Sequence, residues 1–399
     1  VTHIVKGTYD YNTGLLASFT DQNNQVSNYA YDPLWRTLSG SFPDGGAINL
    51  TYVDSIPVQI SKTVKATSSL NKQSNTVFDG LGRVTQTQMN DPDCTVGSAL
   101  VKLDHTYGFD TTQNTTFATA TTPYCDTPGT VYGLSTRSDS DALGRAVKVT
   151  ETDGSVVSTS YTGNCTTVTD EAGKSRQSCT DGLGRMTGVW EDPGTSPHLN
   201  YETDYGYDVL NNLASVNQKG DNSAPRTRSF VYDSLSRLTS AVNPESGTIS
   251  YTYANDSSGC AGSPGVVCTK VAPAANQTGT ATATTTFAYD ALNRVTGKSY
   301  AGVATPSVYY GYDHDTSTLS SCATTPPTLT DTYPVNRRTA MCDGSGATSW
   351  SHDDMGRVLS EDRTIGSHTN TTSYAYSLAW GANVRASPKP HQAGTGWCR

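Results

Sequence analysis

The chain has 399 residues, of which 35% are hydrophobic and 16% charged, with a formal net charge of −9. The arginines are dispersed along the chain and no basic patch stands out, which argues against nucleic acid as the main ligand. No apolar run approaches the roughly 18 residues that a membrane span needs, and low hydrophobicity without high net charge is not the composition of a disordered chain.

Tyrosines outnumber phenylalanines 23 to 7, which suits half-buried rings whose hydroxyls keep a partner. With so little apolar material, stability has to come from strand ladders, cross-strand Tyr and Thr pairs, and disulfides.

From the N-terminus to residue 56, turn signals at Asp10, Asp21 and Asp32 recur every eleven residues, three tight turns in succession. Between them the residues alternate at period two, so this stretch reads as a meander of short strands. Pro57 to Asn75, with Val58, Ile60 and Val64 alternating, reads as a further pair of strands. An insertion bounded by Cys94 and Cys125 follows, and strand-like residues Leu100 to Tyr107 mark it as an extra hairpin.

From Tyr132 to Tyr253 the pattern runs with few interruptions. Its clearest element is Tyr232-Asp233-Ser234-Leu235-Ser236-Arg237-Leu238, a polar turn opening into a strand with Leu238, Ser240 and Val242 on one parity. Asn243 to Gly247 then breaks the strand, and Ile249, Tyr251 and Tyr253 alternate on the return. Two further insertions are expected near 254–284 and 313–343. After Tyr376 the alternation stops, so 377–399 reads as a divergent or disordered tail to a repeat array spanning 1–376.

The phrase aromatic-Asp-x-Leu-x-Arg unites these turns. It pairs Asp32 with Arg36, Asp79 with Arg83, Asp233 with Arg237, and Asp290 with Arg294. Asp141 with Arg145 and Asp181 with Arg185 keep everything but the aromatic, while Asp353 with Arg357 has Met355 in the Leu place. Tyr207-Asp208 ends in Asn212 instead of Arg. An active site occurs once and a structural device many times, so these pairs read as turn caps, with Asp accepting backbone N–H bonds and the Arg stem packing on the next strand.

The repeated Tyr-Asp-x-x-Gly-Arg-Leu phrase, followed by Pro-Asp-Gly or a variant and then Tyr-x-Tyr, resembles the YD repeat of RHS (rearrangement hotspot) proteins over roughly residues 8–376. The resemblance implies an all-β fold in which antiparallel hairpins form a long spiralling sheet, closed in that family as a hollow shell around a toxic cargo. It further implies that the partners are the remainder of a parent RHS-like chain or its cargo. Periodicity alone establishes only a long array of hairpins. Since the repeat is already running at Tyr9 and stops after Tyr376 without a cap, the segment is expected to be partial and open, with unpaired edges that favour self-association.

The nine cysteines point to an oxidising, extracellular or cell-surface setting. Taken in order, eight fall into local pairs: Cys94 with Cys125, Cys165 with Cys179, Cys260 with Cys268, and Cys322 with Cys342. Cys398 is left over. Cys165 and Cys179 lie symmetrically about a turn, which would bring them face to face.

Signals for chemistry are weak. Gly173-Lys174-Ser175 and Gly297-Lys298-Ser299 imitate the end of a phosphate loop, but Val168 and Leu292 stand where its first Gly belongs. Asp91-x-Asp93, Asp139-x-Asp141 and Asp313-x-Asp315 never continue into a full calcium loop. No cysteine has zinc-like spacing to another or to a histidine. The reading is therefore a structural wall segment with no catalytic, metal or cofactor site. The alternative is an extracellular module whose Trp35, Trp190 and Trp350 grip carbohydrate or a cell-surface protein.

Overall fold

A computed structural model describes residues 3–91, 100–125, 134–195, 197–220, 224–254, 260, 262, 264–275, 279–328, 330–376 and 378, and the backbone of 389–390. The fold is all-β, an array of antiparallel hairpins, with a single 3-10 turn at Ser317–Ser321 and no α-helix among the described residues. The chain divides into two units, one formed by residues 1–52, 61–73 and 252–399, the other by 53–60 and 74–251.

In the second unit, strands Ser135–Ser140, Ala146–Thr150, Val156–Thr162, Cys165–Thr169, Ser175–Thr180 and Met186–Glu191 pair each with the next. The meander continues through Tyr201–Tyr207, Leu213–Gly220, Arg226–Tyr232, Leu238–Asn243 and Gly247–Tyr253. Within the first insertion, Leu100–Asp110 pairs with Thr115–Thr121, and that strand pairs in turn with Ser135–Ser140.

The first unit contains two meanders. Lys6–Tyr9, Leu16–Thr20, Val26–Tyr31, Thr37–Ser41 and Ala47–Val53 make one. Val267–Pro273, Thr282–Tyr289, Val295–Ala301, Val308–Tyr312, Arg338–Asp343, Gly346–His352, Val358–Ile365 and His368–Ser373 make the other. The backbone at Lys389–Pro390 pairs with the last of these strands. The remainder of the 377–399 tail, Leu378 apart, lies outside the described residues.

Period-two alternation produces strands with one half-buried face, as in Val26–Tyr31, where exposed and partly buried residues alternate strictly. No thick core forms among the described residues. The buried apolar residues are mostly small, among them Ala66, Ala241, Ala340 and Ala347. Paired hydroxyls supplement the ladder on the solvent face, for example Thr8 with Ser18 at 2.6 Å and Thr364 with Thr369 at 2.7 Å.

Disulfides join Cys165 to Cys179, Cys260 to Cys268, and Cys322 to Cys342. Cys165 and Cys179 sit directly opposite each other on adjacent strands, as their symmetry about the intervening turn implies. Cys94 and Cys398 lie outside the described residues; Cys125 is disulfide-bonded.

Candidate functional site

One arrangement recurs through both units, a turn closed by three side chains. In the Asp141 turn the backbone N–H of Asp141 donates to the Arg145 carbonyl at 2.9 Å, and Gly144 N–H donates back to the Asp141 carbonyl at 2.9 Å. Asp141 Oδ1 accepts from the N–H groups of Leu143 and Arg145, both at 2.9 Å. Gly144 has φ +76°, the left-handed position that completes a type I turn with a bulge. Accordingly the ladder shifts register between Asp139 and Ser140, just before the turn.

The second carboxylate oxygen finishes the closure. Asp141 Oδ2 accepts from Arg145 Nε at 2.8 Å, and the same contact joins Asp32 to Arg36, Asp79 to Arg83, Asp181 to Arg185, Asp233 to Arg237, Asp290 to Arg294 and Asp353 to Arg357 at 2.6 to 2.8 Å. Asp208 substitutes an amide for the guanidinium, Asn212 Nδ2 donating at 2.9 Å. Hydrogen bonds from the Arg145 side chain and backbone hold the Asp141 carboxyl below its ordinary pKa, and Asp181 is lowered by Arg185 in the same way.

The third member is a tyrosine from a later strand. The Arg145 guanidinium lies 4.2 Å from the centre of the Tyr161 ring, and the Tyr161 hydroxyl donates to the Ala146 carbonyl at 2.9 Å. Arg36 with Tyr52, Arg83 with Tyr107, Arg185 with Tyr207 and Arg357 with Tyr376 repeat it, each hydroxyl reaching the carbonyl of the residue after the arginine. Tyr207, and Tyr312 whose ring lies 4.4 Å from the Arg294 guanidinium, each precede an Asp that begins the next turn. In such a Tyr-Asp doublet, Asp closes its own turn while Tyr closes the one behind it.

Sequence reasoning singled out the Asp and Arg positions, reading Asp as a backbone cap and Arg as packing its stem on the next strand; it named neither their side-chain contact nor the tyrosine. Its signal is a recurrent offset: Tyr31 to Leu16, Tyr52 to Thr37 and Tyr161 to Ala146 are all 15 residues apart.

Two departures stand out in the first unit. Asp313 N–H donates to the Arg337 carbonyl at 3.1 Å, the closing bond of an Asp–Arg turn stretched around the whole intervening loop. Asp313 also takes a two-pronged contact from Arg294, at 3.2 and 2.7 Å, and His3 Nε2 at 3.1 Å. In the Asp353 turn, His352 occupies the aromatic place, is buried, and bonds through Nδ1 to the buried carboxylate of Asp331.

The carboxylates considered for calcium are engaged by protein groups. Arg137 holds Asp139 and Asp110 together, and Arg294 holds Asp313; Asp93 lies outside the described residues. No group of three metal-ligating side chains occurs among the described residues. Of the three tryptophans, Trp35 is the positive-φ residue of its turn, φ 65°, and largely exposed. Trp190 stands opposite Gln177, and Trp350 lies under Arg338 at 4.6 Å.

The sequence matches no family model and no curated protein. Among solved structures, the crystal structure of TcdB2-TccC3 superposes with a TM-score of 0.66 at 13% identity, over 94% of this chain and 22% of that one. The fold is shared with Tc toxin structures. The TcdB2-TccC3-Cdc42 crystal structure gives 0.66 at 12% identity, over 94% of this chain and 25% of that chain. A Photorhabdus luminescens Tc holotoxin pore carrying a TccC3 mutation gives 0.59 at 11%, over 96% and 24%. This chain thus spans about a quarter of the length of the structures it resembles.

Proposed function

We propose that the chain is a wall segment of a larger secreted or cell-surface toxin complex of the RHS type, a strip of the shell that encloses cargo, with no catalysis of its own. The observation carrying this reading is the closed Asp–Arg–Tyr turn, repeated along both units, in a fold that superposes over 94% of its length on TcdB2-TccC3. A repeated closure serves rigidity, not turnover. The partners are then the rest of the parent chain and the cargo it surrounds, and the disulfides suit an extracellular setting.

The test is to express the chain together with its flanking coding sequence and image the product by electron microscopy, with limited proteolysis alongside. A hollow particle that shields an internal segment from protease is the expected result. An open particle with no shielded segment, combined with saturable binding on a glycan array, would replace this reading with a carbohydrate- or protein-binding module.

A further inference from the structure

In a meander, successive turns fall on alternate edges. All the Asp–Arg turns of the second unit, including those at Asp79, Asp141, Asp181 and Asp233, share one edge; the turns at 151–155 and 170–174 lie on the other. The Asp–Arg edge carries an unusual row of leucines at the turn tips, with Leu81 78% exposed, Leu143 77% and Leu183 72%. Nothing in the closure of the turn requires an apolar residue there, since its contribution is a backbone N–H.

Inside the first unit, the same kind of edge is covered. The opposite-edge turns of its N-terminal meander dock on the Asp–Arg edge of its C-terminal meander. The Asn23 amide both donates to the Val335 carbonyl at 3.1 Å and accepts from the Val335 N–H at 2.9 Å. Asp44 Oδ2 accepts from Arg357 Nη2 at 3.2 Å. At this covered turn Met355, in the leucine place, is half-buried, whereas Leu81, Leu143 and Leu183 of the second unit are exposed.

The second unit also carries a counterpart of the docking turn. In the 42–46 turn, Phe42 N–H donates to Gly46, Gly45 N–H donates to Phe42, and Asp44 Oδ1 accepts from Gly46 N–H at 2.8 Å. In the 151–155 turn, Glu151 N–H donates to Ser155, Gly154 N–H donates to Glu151, and Asp153 Oδ1 accepts from Ser155 N–H at 2.9 Å. Gly45 and Gly154 share the left-handed backbone, at φ +77° and +86°. The difference is that Asp153 is exposed, whereas the Asp44 side chain is covered by its docking partner.

We infer that the leucine-tipped edge of the second unit is a docking surface for a second copy of this chain, which presents its Asp153 turn as the Asp44 turn is presented within the first unit. The carboxylate meets the outer face of an Arg83 or Arg145 guanidinium, and the leucines pack on the incoming turn. Because the two surfaces differ, the contact is head-to-tail and propagates with concentration instead of stopping at a dimer. This inference does not depend on the shell reading, because it uses only edges present in this chain.

The test is sedimentation velocity of the whole chain over a concentration series, with Leu143→Ser and Asp153→Lys variants checked for native circular dichroism. The expected result is reversible association that weakens about tenfold in each variant. A photo-cross-linking amino acid placed at position 143, in a mixture of isotopically light and heavy chains, is expected to yield mixed cross-links to the peptide spanning 151–155. A monomer at all concentrations, association unchanged in both variants, or cross-links confined to single chains or to other peptides would each overturn the inference.

Discussion

Arg145 and Tyr161 meet with the guanidinium 4.2 Å from the ring centre, and the tyrosine hydroxyl is bonded to the carbonyl of the residue that follows the arginine. The ring thus covers a charge already neutralised by Asp141, and its hydroxyl fixes the strand at the point where it leaves the turn. Removing the hydroxyl by Tyr161→Phe keeps the stack and loses one hydrogen bond, a cost of about 0.5–1 kcal/mol. Urea unfolding should show this loss, and Arg145→Lys in the Tyr161→Phe background should add a further decrement from the lost stacking. An unchanged midpoint in both variants would mean that the tyrosine contributes only burial.

Acid should weaken the turns together. Asp141 and Asp181 are held below the ordinary carboxylate pKa in the folded chain by their arginines. An acid depressed on folding contributes stability that is fully present above its unfolded pKa and lost as pH falls through the folded value. The contribution of these turns should therefore be level from pH 7 to about 5 and decline below about pH 4. In Asp141→Asn the acid limb of a pH series of urea midpoints should be shallower than in the parent chain.

Asp354 should behave in the opposite sense. Burial, then the neighbouring carboxylates of Asp353 and Asp44, push its pKa up. The unfolded chain ionises this group more readily than the folded one, so its charge destabilises the fold at neutral pH. Asp354→Asn should raise the thermal midpoint at pH 7, with the gain vanishing in acid where Asp354 is protonated in both states. A lowered midpoint at pH 7 would mean that the carboxylate makes a favourable contact.

The clasp between Asn23 and Val335 should be visible by hydrogen exchange. Asn23→Ala leaves the Val335 N–H and carbonyl without their side-chain partner. The Val335 amide should exchange faster in the variant, while amides of the Val358–Ile365 strand stay protected. Equal protection at Val335 in both proteins would show that the clasp does not hold the loop.

Mass mapping without reduction should recover the pairs Cys165–Cys179, Cys260–Cys268 and Cys322–Cys342. The Cys165–Cys179 bridge spans a separation of 14 residues, and breaking a loop of that size should cost about 3 kcal/mol. Loss of the second unit's cooperative transition on mild reduction would be the corresponding readout.

The turns were legible in the sequence because Asp, the apolar tip, the left-handed residue and Arg sit within five consecutive positions, where chemistry and spacing coincide. The strands were legible for the same local reason, through period-two alternation. The tyrosine's role was not, because its partner lies 15 to 23 residues upstream and an aromatic in a strand has an adequate local explanation. Nor was the turn at Asp313, whose arginine is displaced to Arg337 by an intervening loop. The docking of Asn23 on Val335, 312 residues away, left no periodic trace at all.

That displaced arginine has a practical consequence. At Asp313 and Arg337 the chain has been opened at a turn, filled with foreign length, and rejoined by the same backbone bond, with Val308–Tyr312 and Arg338–Asp343 still in register on either side. Loop closure grows costlier by only about 0.6 kcal/mol per doubling of length, so the turn tolerates the extra length, which is tied back to the adjoining strands by the Cys322–Cys342 disulfide and by the Thr318 hydroxyl on the Tyr310 carbonyl. The Asp–Arg turns are therefore natural splice points: a peptide tag or epitope grafted between Asp141 and Arg145 would be displayed at the rim of the sheet while the strands beneath it keep their places.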